Sequence, residues 1–147
     1  MQHEGFAELV GFEIFPKSDG TSTGALEVQK EHLNPNGVVH GGALFTLLDT
    51  CLGAALMQRL EAGEICATLQ ISMNFLKPVF AGTVECRAHV VSKGKRIGNV
   101  RGELYVGEKL VGTADGNFAI MQPSKSNFGA VFRPQNASQD PSPEPPF

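Results

Sequence analysis

The stretch that decides the fold is Asn34-Pro-Asn-Gly-Val-Val-His40-Gly41-Gly42, followed by Ala43-Leu-Phe-Thr-Leu-Leu-Asp49-Thr-Cys-Leu-Gly-Ala-Ala-Leu-Met57. Asn, Pro and Gly together form a turn, and the residues after it predict a helix from about Gly42 to Arg59. Its apolar side chains point in nearly every direction, unlike those of a surface helix with one apolar stripe. Such a helix must be wrapped by the rest of the chain. The start of a helix presents unpaired N–H groups and partial positive charge, and glycines let a ligand approach them. Asp49 is the only carboxylate in the helix, so it is the candidate base.

On both sides of this helix the sequence alternates. Residues 1 to 10 read as a short helical lead, Gly11–Lys17 as a strand and Thr23–Gln29 as a second, with Ser18-Asp-Gly20 as the turn of a hairpin. Downstream, strand patterns run over Ile65–Leu76, Gly82–Ser92, Arg96–Val106 and Lys109–Met121, separated by short turns at Lys93-Gly-Lys95 and Gly107-Glu108. In the first, Ala67, Leu69, Ile71, Met73 and Phe75 are expected on one face, with Thr68, Gln70, Ser72 and Asn74 on the other. The second half is expected to be an antiparallel meander. One buried helix against such a sheet is an α+β architecture.

The 147 residues fit a single domain, expected over residues 1–121. From Gln122 the composition changes, and five of the nine prolines lie in Pro134–Pro146. Residues 122–147 are therefore expected to be a disordered tail. A formal net charge of -3 leaves no broad basic surface and argues against nucleic acid or an anionic membrane as partner. Val38–Met57 approaches membrane-spanning length, but a central Asp costs roughly 2.5 to 3.5 kcal/mol in a bilayer. Cys51, Cys66 and Cys86 lack metal-ligand or disulfide spacing, and the N-terminus has no signal-peptide pattern, so the expected compartment is the cytoplasm. With no phosphate loop and no His/Cys cluster, neither a resident cofactor nor a metal is expected.

Asn34 with His40-Gly41-Gly42 six residues later, Asp49 seven residues past Gly42, the all-round apolar helix and the strand series after it occur together. On these residues the chain resembles the hot-dog-fold acyl-CoA thioesterases, nearest to the PaaI-type branch linked with phenylacetate degradation, over about residues 5 to 121. The resemblance implies a curved antiparallel sheet wrapped around one long central helix. It further implies a homodimer with a continuous sheet, assembling to a homotetramer, with sites at subunit interfaces. It also implies a strand Ser or Thr that assists the carboxylate, a position at which this chain has Thr68.

Thioester hydrolysis requires a polarised carbonyl and an activated water or nucleophile. The N–H of Gly41 or Gly42 would stabilise the oxyanion, and Asp49, expected to be largely shielded from solvent, would serve as base or nucleophile. Asn34 and His40 each have two readings, as a hydrogen-bonding group at the thioester or as an anchor of the loop. Lys93, Lys95 and Arg96 share one hairpin and are candidates for the phosphates of coenzyme A, here part of the substrate. Phe45, Leu48, Leu52, Met57, Phe75 and Phe80 are candidate pocket residues for an aromatic or medium-chain acyl group. Hydratases of the fold carry an Asp five residues before a His, and here that position is Pro35. The competing reading is a non-catalytic acyl-CoA sensor.

Overall fold

Leu47, Leu48, Leu52 and Leu56 have no solvent exposure, and what lies against them explains why the helix is interior. In the computed structural model, which describes residues 5–123, the central helix α2 (Gly41–Met57) packs on a six-stranded antiparallel sheet that curves around it. Sheet glycines make the close approach possible. A Cβ at Gly98 would stand 2.7 Å from Leu56, and one at Gly102 would stand 2.9 Å from Leu52 and 3.1 Å from Leu48. Leucines one helical turn apart thus fill positions left empty in strand β5 (Ile97–Val106). Each fully buried leucine contributes about 1.5–3 kcal/mol.

A short helix α1 (Phe6–Val10) ends at Gly11, whose φ of 87° is the left-handed conformation suited to glycine at a helix end. Strands β1 (Phe12–Lys17) and β2 (Thr21–Glu27) form the expected hairpin. At its turn Asp19 accepts from the hydroxyl of Thr21 at 2.6 Å and from its N–H at 2.9 Å, and these bonds lower the Asp19 pKa below the ordinary value. The remaining strands are β3 (Ile65–Phe75), β4 (Thr83–Lys93) and β6 (Lys109–Met121).

The strand order is β1-β2-β4-β5-β6-β3, which corrects the expected meander. Strands β4, β5 and β6 do run as a meander, but β3 lies beside β6 and β4 pairs with β2. The link from β3 to β4 is Leu76–Gly82, in which Pro78 is followed by the buried Val79. That correction places β3 at a sheet edge. Its outer edge pairs with no strand among the described residues, and Leu69, Phe75, Leu76 and Phe80 along and after it are 50–60% exposed.

The alternation expected for β3 is also corrected. Thr68 opposes Phe118 and Gln70 opposes Asn117, so Leu69 is an extra residue, a β-bulge. An added residue inverts the faces of everything before it. Cys66 and Thr68 therefore join Ile71 and Met73 on the helix side, and Ala67 joins Gln70, Ser72 and Asn74 on the outer side. The tail expected over residues 122–147 lies, beyond Pro123, outside the described residues. Among the described residues no helix is long and apolar enough to cross a membrane.

Candidate active site

Asp49 sits two turns into α2, half-buried rather than shielded, and Thr68 reaches it from β3. The hydroxyl of Thr68 donates to Asp49 Oδ1 at 2.8 Å. Among the described residues no donor meets Oδ2, so one carboxylate oxygen is held and the other is available. Next to them the Cys66 thiol is pushed above its ordinary pKa, first by burial and then by the Asp49 charge. Thr50 turns its hydroxyl back onto the Thr46 carbonyl at 2.9 Å.

These groups stand in a cleft of ≈ 360 Å³ lined mainly by apolar atoms. The sheet does not close fully around the helix, and the cleft is the gap between its two edges. Ile14 and Pro16 of β1 form one wall, Cys66 and Thr68 of β3 the other, and Thr50, Gly53, Ala54 and Met57 of α2 the base beside Phe118. Of the six pocket residues expected from sequence, only Met57 lines it. Leu48 and Leu52 are fully buried against the sheet, and Phe45, Phe75 and Phe80 are exposed elsewhere. The missed residues on the helix follow Asp49 at one, four and five positions, a spacing that marks the same face.

The second group of predicted residues gathers at the start of α2. His40 is the N-cap, and its Nδ1 accepts from the Gly42 N–H at 2.8 Å. That N–H is thereby satisfied. The Gly41 N–H, the first of the helix, meets no acceptor among the described residues, so it is the donor open to a ligand. A Cβ at Gly41 would be 3.2 Å from the Phe75 ring, and one at Gly42 would be 2.9 Å from His40 Nδ1. A side chain at either position would crowd a neighbouring ring. Beside Gly41 a hollow of ≈ 290 Å³ is lined by Val38, Leu44, Phe75 and Pro78, among others.

Asn34 organises the preceding loop. Its Oδ1 accepts from Asn36 N–H at 2.9 Å and Val38 N–H at 3.2 Å, while its own N–H donates to the Val38 carbonyl at 2.7 Å. His40 and Asn34 thus both show the anchoring role, and within one chain neither comes together with Asp49. Seven residues of helix between Gly42 and Asp49 span about 10 Å. A single chain therefore presents two half-sites.

Of the basic hairpin, Lys93 is paired with Glu64 at 3.4 Å, both side chains mostly buried. Lys95 and Arg96 are exposed and have no side-chain partner among the described residues. No group of three His, Cys, Asp or Glu side chains suited to a metal ion occurs among the described residues.

A six-stranded curved antiparallel sheet around one long central helix defines a hot-dog-fold protein. Residues 36–113 match the family described as the thioesterase superfamily, and the chain belongs to that superfamily, in its PaaI-type branch. It is 30% identical over 98 residues to the acyl-coenzyme A thioesterase PaaI of Escherichia coli, covering 66% of this chain and 68% of that one. It is 31% identical over 91 residues to the 1,4-dihydroxy-2-naphthoyl-CoA hydrolase of Listeria monocytogenes, covering 62% and 74%. The solved structure of the conserved protein PA5202 from Pseudomonas aeruginosa superposes with a TM-score of 0.77 at 33% identity, covering 81% of this chain and 95% of that one.

Proposed function

We propose that the protein is an acyl-CoA thioesterase that hydrolyses an aromatic or medium-chain acyl-CoA to the free acid and coenzyme A. The observation that carries this reading is the Thr68–Asp49 hydrogen bond at an apolar cleft. Thr68 fixes one carboxylate oxygen, and the other takes a proton from water as that water attacks the thioester carbonyl. The Gly41 N–H, at the positive end of α2, stabilises the oxyanion, a donor of a kind worth about 2.7–4 kcal/mol of barrier. Collapse of the intermediate breaks the C–S bond and releases the thiol. Lys95 and Arg96 are the hairpin cations proposed for the coenzyme phosphates, with Lys93 already held by Glu64.

The two half-sites are joined in this reading by a second copy. The free edge of β3 and the exposed Leu69 and Phe75 suit antiparallel pairing of β3 with β3. Antiparallel pairing about a two-fold axis near the middle of β3 sets the Phe75 end of one copy near the Thr68 end of the other. Since Phe75 packs on Gly41, the same axis brings Gly41 of the partner subunit towards Asp49.

The test is thiol release from phenylacetyl-, benzoyl-, hexanoyl- and palmitoyl-CoA by the wild type and Asp49→Asn, with equimolar mixing of Asp49→Asn and Gly41→Val. Asp49-dependent release, partly restored by mixing, supports a thioesterase with a shared site. Binding of the esters without release by the wild type gives the sensor reading instead.

A further inference from the structure

The helix α2 contains three glycines, and two of them are explained by contacts within the chain. Gly53 is not. A Cβ there would meet only Phe118 Cε1, at 3.6 Å, which is ordinary van der Waals contact. The fold leaves room for a side chain at this position, and a helix interior disfavours glycine relative to alanine. What Gly53 does border is the cleft, one turn beyond Asp49 on the same face and about 6 Å along the axis.

We propose that Gly53 is the specificity-determining residue of the acyl site, and that its missing side chain is space for the ring of an aryl or arylacetyl group. The inference rests on the thioesterase reading and deepens it. A carbonyl poised at Asp49 places the atoms one to three bonds further on against Gly53. A linear chain is only one methylene wide and would pass a Cβ there, so a glycine matters most to a planar, wider group. The volume agrees: about 150 Å³ suffices for benzene, and ≈ 360 Å³ accommodates a substituted ring with its linker. Phe118 at the base offers an aromatic edge or face to such a ring. The walls Ile14, Ala54 and Met57 supply apolar contact but few hydrogen-bond partners, which suits an acyl group better than the amide-rich pantetheine arm.

The experiment compares wild type and Gly53→Ala by kcat/KM for phenylacetyl-CoA and hexanoyl-CoA, by the Kd of both esters in an Asp49→Asn background, and by Tm. The expected result is a fall of at least about tenfold in the phenylacetyl-to-hexanoyl ratio, the effect of one methyl group in an apolar pocket, with Tm unchanged or raised. An unchanged ratio overturns the proposal, and so does a lowered Tm, which would show that the fold itself needs the glycine. If no ester is hydrolysed by the wild type, the thioesterase reading fails while the Kd ratio still decides the ring site. A tenfold shift in that ratio upholds the site, and equal Kd changes for both esters overturn it.

Discussion

Thr68 donates to Asp49 Oδ1 at 2.8 Å because Leu69 is bulged out of the ladder rather than paired in it. With Leu69 paired, Thr68 would share a face with Gln70, Ser72 and Asn74, pointing away from α2. Leaving Leu69 out of the pairing therefore keeps Thr68 on the helix side as the partner of the carboxylate. Bulges re-aim side chains in this way at the edges of sheets, and β3 is an edge strand.

Removing either end of that bond has a graded effect. Asp49→Asn keeps the shape of the side chain but removes the proposed base, so kcat is expected to fall by at least about 10²-fold. Thr68→Val removes a hydrogen bond to a charged group, worth about 1.5–3 kcal/mol, and lowers kcat by about 10- to 100-fold with KM little changed. Steady-state thiol release on both variants checks the order. A Thr68→Val enzyme with wild-type kcat would remove the hydroxyl from the mechanism.

The bulge itself can be separated from the side chain that forms it. Leu69→Ala leaves the extra backbone residue in place and should retain the Thr68–Asp49 bond and most of the activity. Deletion of Leu69 sets Thr68 directly before Gln70 in an unbulged ladder, where Thr68 still opposes Phe118 and faces α2, so most of the activity is retained in this variant too. Circular dichroism on both proteins confirms that the sheet persists. A deletion variant that keeps its sheet but falls to the activity of Thr68→Val would contradict this register argument.

His40 caps α2, and its removal should be felt as stability. Loss of an N-cap costs about 0.5–2 kcal/mol, and His40→Ala also leaves the Gly42 N–H without its Nδ1 acceptor. A lower Tm in thermal unfolding is the expected readout. Gly42→Ala should show the same trend, since its Cβ would stand 2.9 Å from Nδ1 and displace the ring. If His40→Ala loses turnover with no change in Tm, the imidazole acts at the thioester instead.

The helix and most strand limits were legible because periodicity and turn residues are local signals. The all-round apolar pattern of Leu44–Met57 announced a wrapped helix, and the hairpin β1–β2 followed from Ser18-Asp-Gly20. Neither the place of β3 beside β6 nor the bulge at Leu69 has a local signature, because both depend on which strands meet. The same blindness explains Leu48 and Leu52. Both meet Gly102, and Leu52 also meets Gly116, fifty or more residues on, so nothing near them in sequence distinguishes core from pocket. The choice between Gly41 and Gly42 likewise required knowing where the His40 ring turns. Lys93 was assigned with its hairpin neighbours, but its partner Glu64 lies in a different loop.

Cys66 reports on the Asp49 charge without any substrate. Burial first, and then the adjacent carboxylate, raises the thiol pKa, so less thiolate is present at a given pH. Asp49→Asn removes the second cause and leaves the first, which lowers the Cys66 pKa and increases the thiolate fraction. Because the thiolate is the nucleophile, alkylation of Cys66 by iodoacetamide at fixed pH should be several-fold faster in Asp49→Asn than in the wild type. Cys51 and Cys86, both with no solvent exposure, serve as internal controls when the labelled peptides are resolved by mass spectrometry. An arylacyl-CoA bound in the cleft should slow the labelling of Cys66 in both proteins, since the thiol lines the same wall as Thr68. Equal labelling rates in the two proteins would mean that the Asp49 carboxylate does not act on this wall of the cleft.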